Sequence, residues 1–186
     1  MTKNDLRREG LALRDALSPE FRAQASLAIA VNVLALPELA SPRGLVVAGY
    51  WPIRSEVDPR PTFEALAVRG VRLALPAVLG DEITFRAWAS GEALASGPFG
   101  LSEPAPEAAE TAPDVLLTPL SRYDRARNRI GYGKGHYDLA IAKLAAVKPV
   151  LTIGLAFSVQ ATANIAAEGH DRRLDIVVTE TEILRD

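Results

Sequence analysis

The chemistry available to this chain concentrates in one short segment. Arg122, Arg125, Arg127 and Arg129 lead into Gly131, Tyr132, Gly133, Lys134, Gly135, His136, Tyr137 and Asp138, after which the pattern turns helical. Alternate glycines let the backbone approach a ligand closely and turn its N–H groups toward an anion, and a following helix N-terminus adds a partial positive charge. Lys134 and Arg129 would complete a phosphate cradle, and Asp138 could hold a magnesium ion that bridges phosphates. The segment is not a Walker A loop, because Gly135 rather than Ser or Thr follows Lys134 and the upstream glycine is missing. Nor does the glycine spacing fit the dinucleotide fingerprint. The same residues also read as a tight strand-to-helix turn among solvated arginines, with Asp138 capping the helix.

Other chemistries are excluded by composition. The chain has no cysteine, which rules out a disulfide framework, a Cys-ligated metal and a thiol nucleophile. Its only histidines, His136 and His170, stand far apart in sequence, and neither a G-x-S-x-G elbow nor an H-E-x-x-H pair occurs. Lysine plus arginine number 21 against 23 acids, a formal charge of −2, so no charge excess recruits nucleic acid or an anionic membrane. At 186 residues, 48% hydrophobic and 24% charged, the composition is that of one folded globular domain. The charged N-terminus lacks the apolar core of a secretory signal, and the most apolar stretch, 23–36, is too interrupted to span a membrane. A cytoplasmic monomer is expected.

Elements must exist to position these residues. Thr2 with Asp5 forms a capping-box pattern, and Leu6, Leu13 and Leu17 predict a first helix to about residue 17. Ser18 and Pro19 predict a second helix that Pro37 stops. Short apolar runs at 45–50, 71–75, 83–88, 115–118, 150–155 and 176–179 then alternate with helical patterns at 62–69, 137–147 and 158–167. Continuous apolar runs suit strands buried on both faces, so the pattern predicts a three-layer α/β fold with a largely parallel sheet. The stretch 98–113, rich in Pro, Ala and Glu, reads as a surface loop and a candidate flap. In such folds ligands bind outside the carboxyl ends of the strands.

The string from Arg129 to Asp138 resembles the R-x-G-x-G-[GK]-G-x-Y-D signature of the 5-formyltetrahydrofolate cyclo-ligases, also called 5,10-methenyltetrahydrofolate synthetases. The resemblance extends along nearly the whole chain. Lys3 with Leu6 and Arg7 is similar to the family's N-terminal K-x-x-L-R. Tyr50, Trp51 and Pro52 with Glu56, Val57 and Asp58 are similar to its first strand end. Leu75 and Pro76 before Phe85, then Phe99, Gly100 and Leu101 with Glu103 and Pro104, resemble its middle landmarks. Gly154 to Phe157 with Gln160, and His170 and Asp171 before Leu174 and Asp175, resemble its C-terminal ones.

The resemblance implies a single α/β domain with a central, mostly parallel Rossmann-like sheet flanked by helices. It also implies an enzyme that uses ATP and Mg2+ to close 5-formyltetrahydrofolate into 5,10-methenyltetrahydrofolate. In that reaction the formyl oxygen is phosphorylated, N10 attacks the activated carbon, and phosphate leaves, so the protein supplies positioning and charge compensation rather than a covalent nucleophile. Carried over by motif position, Lys3, Arg7, Arg129 and the loop Gly131, Tyr132, Gly133, Lys134, Gly135, His136 and Tyr137 contact ATP. Lys134 and Arg129 stabilise the transferred phosphoryl group, Asp138 and Asp171 hold the metal, and Trp51, Glu56, Tyr132 and His136 contact the folate.

Each residue also has a plainer reading. Lys3 and Arg7 fit a solvated helix face, Trp51 core, Glu56 an exposed loop acid, and His170 a residue that orders the turn before Asp171. The chain departs from the family where Leu120 and Arg122 replace the glycine-containing turn before the signature, and where His136 replaces the usual Tyr or Phe. Two other functions remain open at this point: a sugar-phosphate isomerase or CoA-transferase-like protein using Glu56 as base, and a non-catalytic folate or nucleotide binder.

Overall fold

The structure, a computed structural model, describes residues 1–169 and 171–186, with Phe99 by its backbone alone. The role expected of His170 lies outside the described residues. Thr2 caps α1 (Lys3–Asp15) through the reciprocal bonds of a capping box with Asp5, and Ser18 caps α2 (Pro19–Leu34), as the sequence signals predict. Strand β1 (Val46–Ala48) is followed by α3 (Arg60–Val68), β2 (Arg72–Leu79), β3 (Glu82–Trp88), β4 (Ala95–Ser96), β5 (Ser102–Glu103), β6 (Val115–Pro119), β7 (Arg122–Tyr123) and β8 (Arg129–Ile130). Helix α4 (His136–Val147) precedes β9 (Leu151–Leu155), β10 (Ile176–Val178) and β11 (Ile183–Leu184).

Seven strands form the central sheet in the order β11-β10-β9-β6-β1-β2-β3, all parallel except the edge pairs β2/β3 and β10/β11. Both faces are covered, which explains the continuous apolar runs. Val47, Leu73, Leu117 and Ile153 pack with Ile29 and Val33 of α2 and Phe63 and Leu66 of α3. Their strand neighbours Val46, Ala48, Ala74 and Leu116 point the other way, onto Ala140 and Ile141 of α4. Gly49 lets the Phe63 ring lie against the end of β1, since a Cβ there would stand 2.4 Å from the ring.

Two sequence expectations are corrected. The helix expected over 158–167 is a single 3-10 turn, Ser158–Gln160. Buried Gln160 donates to the carbonyls of Leu120 (2.8 Å) and Ser121 (3.1 Å), and the chain beyond it hydrogen-bonds to other elements. Thr162 N–H donates to Tyr123 O at 2.8 Å and Ile165 N–H to Asp124 at 2.9 Å, which takes both N–H groups out of a helix ladder. The stretch 98–113, in turn, is no free loop. Ala87 N–H bonds Ala109 O (2.8 Å) and Thr111 N–H bonds Phe85 O (2.9 Å), so it runs as a strap along the outer edge of β3.

The β1/β6 boundary positions the site. From β1 the chain crosses to β2 through α3 on one face, and from β6 it crosses to β9 through α4 on the other, so the two exits diverge and open a crevice. Helix α1 lies across the β7 segment above that crevice. At Gly10 a Cβ would stand 2.2 Å from Ser121 O, and the buried Arg122 pairs with Glu9 at 2.5 Å and donates to Ala161 O at 2.8 Å. The Arg122 departure thus tethers α1 to the ribbon that precedes the glycine-rich segment.

Candidate active site

A cavity of about 710 Å³ occupies the crevice, and every site residue singled out from the sequence lines it. Its two walls differ in chemistry.

The first wall is the turn after β1. Arg54 adopts a left-handed conformation (φ 53°), and Glu56 folds back so that its carboxylate accepts the Ile53 N–H at 2.9 Å. Glu56 is buried rather than an exposed loop acid. Burial pushes its carboxyl up from the ordinary range, against the opposing pull of the Ile53 N–H, the Tyr132 hydroxyl and the charges of Arg14 and Arg54. Tyr50, buried beside it, donates to Val57 O at 2.8 Å, and burial pushes its hydroxyl well up. Trp51 is half-buried rather than plain core. It packs edge-on against Trp88 at 5.8 Å, carries the Arg60 guanidinium 5.3 Å from its ring centroid, and still faces the cavity. Pro76, Val78, Ile83 and Leu101, from the β2/β3 hairpin and the strap, make this side apolar.

The second wall is cationic. Gly133 (φ 96°) and Gly135 (φ 69°) take conformations that L side chains rarely adopt, and Gly135 is the N-cap of α4, leaving the first N–H groups of the helix facing the cavity rather than a side-chain cap. Asp138 therefore does not cap the helix. Its carboxylate accepts from Arg129 Nη2 at 2.9 Å and from the Arg172 N–H at 3.0 Å. Arg129 is nearly buried, donates also to Arg172 O, and burial lowers its pKa while Asp138 pulls it back up. Arg7 is not a freely solvated side chain: its Nε donates to Gly131 O at 2.7 Å, and its guanidinium lies 3.1–3.3 Å from where a Cβ on Gly133 would sit. Lys3 bonds Asp171 at 2.6 Å and Glu168 at 3.2 Å. Burial alone would lower its pKa, but these two carboxylates outweigh that and raise it. His136 opens α4 at the cavity edge, and Tyr137, half-buried beside it, has its hydroxyl pushed up by desolvation.

Asp138 and Asp171 stand on this cationic side, each already accepting one cation and one backbone N–H. Among the described residues no three acids or histidines cluster into a metal cage. Such a pair of carboxylates beside a phosphate cradle suits Mg2+, which is typically held by one or two carboxylates with phosphate oxygens and water.

Arg54 and Arg14 escaped the sequence reading, and Tyr50, Pro76 and Leu101 entered it only as landmarks without a place in the site. Tyr50 is the Tyr of the Tyr-x-Pro landmark and Arg54 lies between it and Glu-Val-Asp, so a signal was at hand. Arg14 carried none.

Fold and crevice together define a doubly wound α/β protein with a cationic, glycine-rich wall on one side of its topological switch point and a buried carboxylate on the other. The family model for the 5-formyltetrahydrofolate cyclo-ligase family matches residues 1–180, and the chain belongs to that family. The Mycoplasma pneumoniae 5-formyltetrahydrofolate cyclo-ligase is 29% identical over 184 residues, covering 97% of this chain and 99% of the relative. The NMR structure of Aquifex aeolicus 5,10-methenyltetrahydrofolate synthetase matches with a TM-score of 0.84 and 33% identity, covering 100% of this chain and 93% of that one. The Mycoplasma pneumoniae 5,10-methenyltetrahydrofolate synthetase structure gives 0.77 and 27%, covering 97% and 99%. The isomerase-like and binding-only readings give way to this match.

Proposed function

We propose that this chain cyclises 5-formyltetrahydrofolate to 5,10-methenyltetrahydrofolate with ATP and Mg2+, releasing ADP and phosphate, as one domain in the cytoplasm. Family membership supports the reaction. The observation that carries the reading for this chain is the two-walled cavity, with a cationic glycine-rich cradle facing an apolar, aromatic wall that holds one buried carboxylate. Among the described residues no helix is long and apolar enough to cross a membrane.

The division of labour follows from the walls. The backbone N–H groups of the loop and the α4 N-terminus bind phosphate oxygens, with Lys3 and Arg7 beside them. Lys134 and Arg129 compensate charge on the transferred phosphoryl group as it reaches the formyl oxygen, making that oxygen a leaving group for N10 attack. Asp138 and Asp171 would hold Mg2+, which when bound supplies further neutralisation of phosphate charge. Trp51 offers a stacking face for the pterin, Glu56 accepts hydrogen bonds from its N–H groups, and Tyr132 and His136 close over it from the loop. The apolar hairpin wall excludes water, which would otherwise compete with N10 for the activated carbon.

The test is the growth of the methenyl-folate absorbance band when protein, 5-formyltetrahydrofolate and Mg2+ are mixed with ATP, against the same mixture without it. ATP-dependent growth is expected. Its absence from folded protein that binds ATP overturns the reading.

A further inference from the structure

Helix α1 aims three cations and a glycine along one face. Lys3, Arg7, Gly10 and Arg14 follow the i, i+4, i+7, i+11 spacing of a single stripe. The first two reach the cationic wall. Arg14 is different. It is 1% exposed, and both oxygens that it meets are neutral: Nε donates to Ser55 Oγ at 3.0 Å and Nη2 to Tyr132 Oη at 2.7 Å. Its charge is balanced at one remove on each side. The Ser55 hydroxyl donates in turn to the Asp15 carboxylate, and the Glu56 carboxyl interacts electrostatically with both the guanidinium and the Tyr132 hydroxyl.

This arrangement has a direction. Guanidinium has donors only, so Arg14 gives one N–H to Ser55, on the turn beside Glu56, and another to Tyr132, on the glycine-rich loop, and spans the two walls. A buried guanidinium is costly, and an apolar side chain of similar volume would fill the same space without that cost if packing were its only task. Tyr132, for its part, is 36% exposed and stands between Gly131 and Gly133, so its side chain is held from outside the loop rather than by flanking side chains.

Taking the site to be that of the proposed reaction, we infer that Arg14 is a positioning residue that bridges Ser55, beside Glu56, and Tyr132, and so ties the glycine-rich loop to the wall that carries the carboxylate. Arg14 touches no substrate in this role. It acts through Tyr132 and Ser55, which keep the loop and the Glu56 turn facing the pterin between them. The groups facing Glu56 are Tyr50 from the end of β1, Tyr132 from the loop, Tyr137 from α4, Arg14 from α1 and Arg54 from its own turn. Loss of Arg14 or of the Tyr132 hydroxyl removes a donor or a cation from that set, and either loss favours the protonated carboxyl.

The test compares wild type with Arg14→Met, Arg14→Lys, Tyr132→Phe and the double variant Arg14→Met/Tyr132→Phe. The KM for 5-formyltetrahydrofolate and the pH dependence of kcat/KM are read from the methenyl-folate absorbance. Arg14→Met and Tyr132→Phe should each raise the KM about tenfold and move the acid limb of kcat/KM upward. The double variant should be no worse than the worse single one, because both remove the same link. Arg14→Lys should recover part of the loss, since an ammonium can still donate to the hydroxyl. Tyr132→Phe changes a loop side chain and keeps the test valid if Arg14→Met folds poorly. Active wild type with an unmoved acid limb in Tyr132→Phe, or with single effects that simply multiply, overturns the inference alone. Inactive wild type overturns the proposed reaction and takes this inference with it.

Discussion

Substituting alanine for each loop glycine in turn separates backbone conformation from simple bulk. At Gly133 the backbone φ is 96°, outside the small left-handed region that L residues can occupy, and the new Cβ would lie 3.1–3.3 Å from the Arg7 guanidinium. Forcing alanine into such a conformation costs about 2–3 kcal/mol, toward the upper end for strained backbone. At Gly135 φ is 69°, inside the left-handed well, with no atom within 4 Å of the new Cβ, so the cost is about 1 kcal/mol. Gly131 has neither a positive φ nor a neighbour within 4 Å, so its substitution should be the mildest. An exposed loop can relax to another conformation instead of unfolding the protein. The strain is therefore expected when the loop must close on ATP, with Tm nearly unchanged. At about 1.4 kcal/mol per factor of ten, Gly133→Ala should lower kcat/KM for ATP by about 30- to 150-fold and Gly135→Ala by about fivefold. Steady-state rates from the methenyl-folate band, with a thermal scan of each variant, give the comparison. The reasoning is refuted if Gly131→Ala is as damaging as Gly133→Ala, or if Gly133→Ala keeps the wild-type kcat/KM.

Glu56→Gln separates function from stability. Burial holds the folded-state pKa of Glu56 above its unfolded value, so the native state binds the extra proton and stability falls as pH rises between the two values. Glu56→Gln should thus leave Tm at neutral pH no lower than wild type while kcat/KM for the folate drops about 10- to 100-fold; a fall in Tm of several degrees would contradict this. Lys134→Ala removes the charge compensation proposed for the transferred phosphoryl group and should lower kcat by about 10²- to 10³-fold, and a loss under threefold would exclude Lys134 from that role. Gln160→Ala leaves the buried carbonyls of Leu120 and Ser121 without their donor, at a cost of about 1–3 kcal/mol, so a thermal scan should show Tm lower by roughly 3–10 °C. An unchanged Tm would mean that the 158–160 turn is held by other contacts.

What the sequence determined by itself was everything whose physical cause is local. Capping at Thr2 and Ser18 is decided within one turn of helix, the buried strands announce themselves by uninterrupted apolar runs, and alternate glycines before a helical pattern mark a loop that can turn at positive φ, as Gly133 and Gly135 do. The order of those pieces also carried the family. Non-local partners were the work of the tertiary structure alone. The apolar pattern at 158–167 looked helical, but buried Gln160 and the pairing of 161–165 with the β7 segment outcompete a helix whose hydrogen bonds are no stronger. The strap over 98–113 owes its place to the free edge of β3, which no local signal reveals. The plainer readings of Glu56 as an exposed loop acid and of Lys3 as a solvated helix cation fail because burial and counter-ions are supplied by residues far away in the chain. Arg14 is the sharpest case: on a strongly polar helix it resembles any solvated arginine, and only the packing of α1 over the crevice puts its guanidinium within reach of Ser55 and Tyr132.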